Sequence, residues 1–362
     1  MFRDARPEPP SLAPFEQAWT LTLPIAPSAP ASMDHERVYV PLGMERLIAL
    51  DRENGTLRWS RTIDIASAVA IGEGTLFLVT GKAIQALDAT SGRDRWSFPL
   101  DRRIVAPLVW EAGWVLAVTD ADELLALRSA DGHLIWRQAL GGSTSHPVVV
   151  GSHAVYASLA DGRVAAMSLE TGAPLWERRL PGTLSAPAVG RDRVFVGSTD
   201  NFFYALEART GRDAWKWRNG GDVVGADVDG DLVFFASLDN VLRAVNRGNG
   251  NQRWRKPTGT RPVLPPSAFR GLVVVPGLMP AVTVFHGTTG EELGEHMATG
   301  DLIGPPLIDT ALTPRRVTCV TMTREGVIEG LRSVELMFRE QANAAVTVLP
   351  GRALAREQRQ AH

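Results

Sequence analysis

Side chains able to do covalent chemistry are few in this chain, and they do not gather. The one cysteine, Cys319, excludes an intramolecular disulfide and any cysteine-rich metal centre. Seven histidines stand singly at His35, His133, His146, His153, His286, His296 and His362, without metal-ligand spacing. No P-loop, no HExxH zinc motif and no GxSxG nucleophile turn is present. Asp229-Gly230-Asp231 looks superficially like a metal loop, but it aligns with Arg191-Asp192 in a neighbouring repeat and reads as a β-turn. What remains is the chemistry of recognition. Arg103, His146, Asp222, Arg261 and Asp301 are charged or ionisable residues on segments where the repeat described next otherwise carries small residues, and Asp227 extends that set into the first strand of its unit.

These residues are positioned by an internal repeat. An Ala–Gly–Trp spacing of six and then four residues recurs at Ala49/Gly55/Trp59, Ala86/Gly92/Trp96, Ala126/Gly132/Trp136, Ala166/Gly172/Trp176, Ala205/Gly211/Trp215 and Ala244/Gly250/Trp254. A seventh copy, Val284/Gly290/Gly294, keeps the spacing and loses the Ala and the Trp, while Trp19 precedes Trp59 by 40 residues. Each repeat glycine follows a small polar residue, as in Asn54-Gly55 and Asp131-Gly132, which suits a tight hairpin with a positive-φ residue. A proline (Pro107, Pro147, Pro187, Pro266, Pro306) leads the first strand of most units, with Ala226 at the sixth. Four antiparallel strands every ~40 residues describe a propeller blade.

The sequence therefore predicts an all-β fold, an eight-bladed propeller of four-stranded antiparallel blades, with seven blades as the alternative. Eight Trp-position markers and eight first-strand halves are present, but the first marker and the last half each lack a partner. Joined, they make a closing blade whose outer strand comes from the N-terminus, beside 327–331, which removes two exposed edges. The expected layout is a Pro-rich segment 1–14, one propeller domain 15–334, and a C-terminal extension 335–362 that fits no repeat. Trp136, Trp176 and Trp215 are expected to be largely buried, with the unit at Gly294 the loosest and least regular. Trp110, Trp114 and Trp217 lie outside the ladder and are weaker candidates for surface contact. Asp227 aligns with Leu108, Val148 and Ala188, and faces either the axial channel or a local partner. The hairpins at Asp161-Gly162, Asp200-Asn201 and Asp239-Asn240 are assigned to the face opposite the charged loops.

The repeated Gly-x-x-x-Trp with a proline-led strand ahead of it resembles the pyrroloquinoline-quinone-like propeller repeat, over 19–332. That family includes quinoprotein dehydrogenases and a propeller lipoprotein subunit of the bacterial outer-membrane assembly machinery. The length and the eight-blade closure look more like the second. The resemblance then implies a non-enzymatic, monomeric, protein-binding scaffold of the periplasm or cell envelope. The alternative it implies is a quinone-dependent oxidoreductase, or a small-molecule sensor, using the axial channel. For that branch pyrroloquinoline quinone is the implied cofactor. Its vicinal cysteine pair cannot form here, and no stretch matches its calcium ligands, so no cofactor or metal is expected.

Composition narrows the partners. With 38 Lys+Arg against 40 Asp+Glu the net charge is −2, so no global basic field attracts nucleic acid or anionic lipid. The most apolar stretch, 272–285, is broken by Pro276, Gly277 and Pro280, short of a membrane span. The first ten residues carry no apolar core of the kind a secretory signal has.

Overall fold

Alternating apolar runs become paired strands wherever the tight turns allow, and the result is eight four-stranded antiparallel sheets. The computed structural model describes residues 15–333 apart from 44, 66, 260, 263, 278–279 and 310–315. Segments 1–14 and 335–362 of the expected layout lie outside the described residues. No helix occurs among those described. Seven blades are continuous: 32–62, 70–99, 109–139, 149–179, 188–218, 223–257 and 267–297. The eighth joins 307–333 to Phe15–Thr22, with Trp19 paired to Gly330 and Thr22 to Val327. The ring closes as the two unpaired halves of the sequence required.

Within a blade the strands are called a to d from the axis outward. The third strand carries the repeat alanine and the fourth the tryptophan, and the two residues are direct cross-strand partners, as in Ala126–Trp136 and Ala205–Trp215. A bulge follows in each continuous blade, between Ala126 and Leu127 for example, and turns residues two apart on strand d to opposite faces.

The repeat glycines sit where the sequence placed them, at the end of the c–d turn, but that turn is wider than a two-residue hairpin. Gly92, Gly211, Gly250 and Gly290 each donate their backbone N–H at 2.8 Å to the carbonyl four residues earlier, of Asp88, Glu207, Asn246 and His286. Gly55, Gly132 and Gly172 do the same toward Asp51, Arg128 and Ser168. The small polar residue before the glycine is therefore part of a longer reversal and does not share its positive φ. All seven glycines are buried, because each turn is covered by the indole of the preceding blade: Gly92 by Trp59, Gly211 by Trp176, Gly250 by Trp215 and Gly290 by Trp254. Their role is structural, and a tryptophan packs on the glycine of the next repeat and not on the one four residues before it.

The core is a chain of interblade clusters built on that contact. Each indole N–H donates to a carbonyl three residues before the next blade's repeat glycine. Trp96 Nε1 reaches the Ser129 carbonyl at 2.9 Å and Trp136 Nε1 the Leu169 carbonyl at 2.8 Å. The same bond runs from Trp19 to Arg52 and from Trp254 to Gly287. Gly132 shows why glycine is needed: its φ is +73°, and a Cβ would come within 2.5 Å of the Trp96 ring. Burial is less uniform than expected. Trp136 is 8% exposed, whereas Trp176 and Trp215 are half-buried.

The unit at Gly294 is not the least regular. Val284 pairs with Gly294 in the same register and with the same bulge as its counterparts. The reason for the missing ring lies one blade on. The closing blade takes its third and fourth strands from opposite ends of the described chain, so it has no c–d glycine turn to receive an indole. Valine replaces the repeat alanine where no indole stands opposite, and Phe15 packs edge-on against His296 at that seam, with ring centroids 6.1 Å apart. Trp110, Trp114 and Trp217 are half-buried and packed against interblade clusters.

Candidate functional site

Strand direction sorts the loops onto two faces. Connections from strand d to the next blade's strand a share one face with the b–c hairpins, here the crossover face. The a–b turns and the glycine turns make the other. The hairpins at Asp161-Gly162, Asp200-Asn201 and Asp239-Asn240 therefore lie on the same face as the charged loops, which corrects the sequence assignment. Strand parity decides this: two antiparallel reversals bring the chain back to the side on which it started.

The crossover loops are stapled to the hairpins beside them. The carbonyls of Arg103, Asp222 and Asp301 accept the backbone N–H groups of Asp120, Leu238 and Arg324, each at 2.8 Å. These three residues hold one structural level in blades 3, 6 and 8. Arg261 belongs to the same level through the neighbouring Pro262–Gly277 bridge. His146 does not, because Ser143 takes that place in blade 4, pairing with Ala160. His146 is half-buried, and its backbone N–H bonds Thr144 Oγ1 at 3.1 Å. The candidates thus ring one face across five blades without converging on a single point.

Arg103 has the richest setting. Its side chain is 80% exposed, 3.9 Å from Asp120, and lines a 760 Å³ cleft with Arg102, Leu100, Ile104 and Asp120. The cleft exists because blade 2 is short. Its b–c hairpin closes from Thr80 to Ala83, whereas blade 3 closes from Thr119 to Glu123, and Trp59 to Trp96 spans only 37 residues. Arg261 and Asp301 are exposed, with Asp222 half-buried.

Asp227 has local partners. Pairing with Phe234 puts it level with Ala188 and with Val109 and Val149, one residue on from Leu108 and Val148. The sequence alignment slipped because proline stands one residue nearer that level in blades 5 and 7 than in blades 3 and 4. Its carboxylate accepts from Val228 N–H and, across the seam, from Ala268 N–H, both at 2.8 Å. Asp229 accepts likewise from Gly271 N–H. The two carboxylates clasp the inner strands of blades 6 and 7, a role for Asp229 that sequence reading missed. Burial raises the Asp227 carboxyl above its ordinary range, against the pull of those two N–H groups. Gly230 has φ +59°, and the Asp231 carbonyl caps Arg247 N–H, so the Asp-Gly-Asp stretch is a turn.

Comparison with known proteins adds to this geometry. The family model described as outer membrane protein assembly factor BamB matches residues 16–102, 80–184 and 160–328. The chain belongs to the BamB family. The BamB of Moranella endobia is 24% identical over 164 residues, covering 40% of this chain and 42% of that protein. The aligned part is thus well under half of the relative's length. The BamB structure from Moraxella catarrhalis superposes with a TM-score of 0.69 at 18% identity, covering 88% of this chain and 99% of that one. A quinohemoprotein alcohol dehydrogenase from Pseudomonas putida shares the propeller with a TM-score of 0.63 at 13% identity, over 88% of this chain and 76% of its own. At such identities the two structures speak for the fold alone.

The dehydrogenase neighbour raises the question of fit to a quinone and calcium. Among the described residues no three His, Cys, Asp or Glu side chains converge. Cys319 is wholly buried in the closing blade, and burial, with the nearby Glu329 carboxylate, pushes its thiol up to about 12.

Proposed function

We propose that this BamB-family propeller is a protein-binding scaffold of the bacterial cell envelope that works without a quinone cofactor. The observation that carries the reading is the crossover face. Arg103, Asp222, Arg261 and Asp301 occupy one repeat level at which packing asks for no charge, on loops whose backbones are pinned. Pinned loops bearing varied side chains suit recognition by a rigid platform, since little ordering entropy is lost on contact. The name of the relatives, outer membrane protein assembly factor, points to envelope proteins as the partners. The closed ring, which leaves no blade edge unpaired, supports a monomer, and the net charge of −2 supports partners other than nucleic acid.

Charge at an interface rim governs partner choice and association rate more than fold stability. Reversing Arg103 and Arg261 together to Glu is therefore expected to weaken capture of envelope proteins in pull-downs while leaving the melting temperature in place. Unchanged capture would remove this face as the interface. A separate titration with pyrroloquinoline quinone and calcium is expected to give no thermal shift and no visible band, and a saturable response would refute the cofactor-free scaffold.

A further inference from the structure

Every seam of the ring brings together equivalent positions: two residues past the tryptophan, or past its counterpart Gly294, on one blade, and on the next the residue before the repeat alanine, or before its counterpart Gly330, joined in all but the closing blade by the residue two past the repeat glycine. Four of the seams are visibly filled or bridged at these positions. Arg61 binds Asp94 at 2.7 and 2.9 Å, and Arg178 binds Asp213 at 2.9 Å. Phe98, Leu125 and Leu134 pack in one cluster. His296 meets Glu329 at 3.2 Å. At the closing seam between blades 8 and 1 the corresponding residues are Leu21, Ile48 and Leu57, and they do not close it. Leu57 stays 59% exposed, and a groove of 600 Å³ runs between the closing strand and blade 1.

The groove has a chemical direction. Buried Leu42 and Ile48 form its floor, and half-buried Leu21 and Ile25 with exposed Leu57 form its walls. Arg46 stands at the crossover end, exposed and without an ion-pair partner among the described residues. Along the strand Arg46–Asp51 the lining residues Arg46 to Leu50 cover about 14 Å at the usual strand rise. An apolar trough of that length ending in a free guanidinium matches one extended acyl chain with an anionic head. We propose that the closing seam is a binding site for a single-chain anionic amphiphile such as a medium-chain fatty acid, its chain along Leu21, Ile48 and Leu57 and its carboxylate at Arg46. None of its lining residues belongs to the crossover loops of blades 3 and 7, and it does not depend on partner capture through them.

The probe is dansyl-undecanoate, followed by its fluorescence on titration into the full chain below its micellar range. Saturable one-to-one binding is expected, displaced by laurate and not by dodecyltrimethylammonium, whose head has the opposite charge. Leu57→Asp, at an exposed position that folding tolerates, is expected to weaken binding about tenfold by placing a carboxylate against the chain. Arg46→Glu should weaken it about threefold or more, with the effect fading at high salt. Absence of saturable binding, equal displacement by the cationic amphiphile, or indifference to both substitutions would overturn the proposal. So would probe binding that appears only after removal of 334–362, which would make the chain's own C-terminal segment the occupant. Co-sedimentation with phosphatidylglycerol vesicles through Leu57 and Arg46, without binding of the dispersed probe, would overturn it in favour of a membrane surface.

Discussion

Trp136 illustrates how one side chain is specified three ways. Its ring lies opposite Ala126 on its own blade, presses on Gly172 of the next, and donates its N–H to the Leu169 carbonyl. Trp136→Ala is expected to cost about 3–5 kcal/mol by cavity formation, measured by urea unfolding, and a loss under about 1 kcal/mol would mark the ring as decoration. Combining it with Gly172→Ala should be less than additive, because the Cβ that strains against the indole at 2.7 Å meets none once the ring is gone. Size complementarity recurs where the pattern breaks: Gly330 faces Trp19, and Val284 faces Gly294. A second residue-scale prediction concerns acid. Hydrogen bonding to Arg95, helped by Ser91 and opposed by partial burial, holds the Asp88 carboxyl down to about 2. Its folded value is below the unfolded one of about 3.9, so its stabilisation is present above that pH and lost as pH falls toward about 2. The pair is partly exposed, so Asp88→Asn should cost less than about 1 kcal/mol at neutral pH. The difference from the parent chain should vanish in acid melts.

At the scale of strands and blades, the seams act as a matching code. Outer strands with Arg178 and Asp213 meet across one seam and those with Phe98 and Leu134 across another, so a blade out of order would set charge against hydrocarbon. Reversing either Arg178 or Asp213 alone should cost up to about 1 kcal/mol by like-charge contact, and reversing both should restore most of it. A double-mutant cycle checks this, and a coupling near zero would show that the pair does not discriminate. The inner strand 223–229 adds a different device, reaching blade 7 through Asp227 and Asp229. The repeat was legible at this scale because turns and large rings have strict local requirements. That Gly92 or Gly250 serves the ring of the blade before it was not legible, since spacing along the chain ties each glycine to the tryptophan four residues on. The Asp227 clasp was hidden for another reason: its partners are backbone N–H groups of a strand about 40 residues away, and backbone donors leave no residue-type signal.

For the whole molecule, closure concentrates in one strand. Phe15–Thr22 pairs along its length with Val327–Ser333, and Trp19 locks onto blade 1 through Gly55 and the Arg52 carbonyl. A chain beginning at Leu23 is expected to lose cooperative thermal unfolding and to expose two strand edges that favour self-association. A peptide of 15–22 added in trans should raise its melting temperature in a concentration-dependent way. An unchanged melting curve for the shortened chain would show that closure contributes nothing. The eight-blade ring, its N-terminal closing strand and the indole ladder were determined by the sequence itself, because spacing between glycine turns and tryptophans is a one-dimensional quantity. Which residues share a face, how deeply each indole is buried, the short hairpin's cleft beside Arg103 and the open seam at Leu57 were decided only in three dimensions. Those depend on strand parity, on register offsets of a single residue and on what the neighbouring blade presents, and none of these is encoded at any one position of the chain.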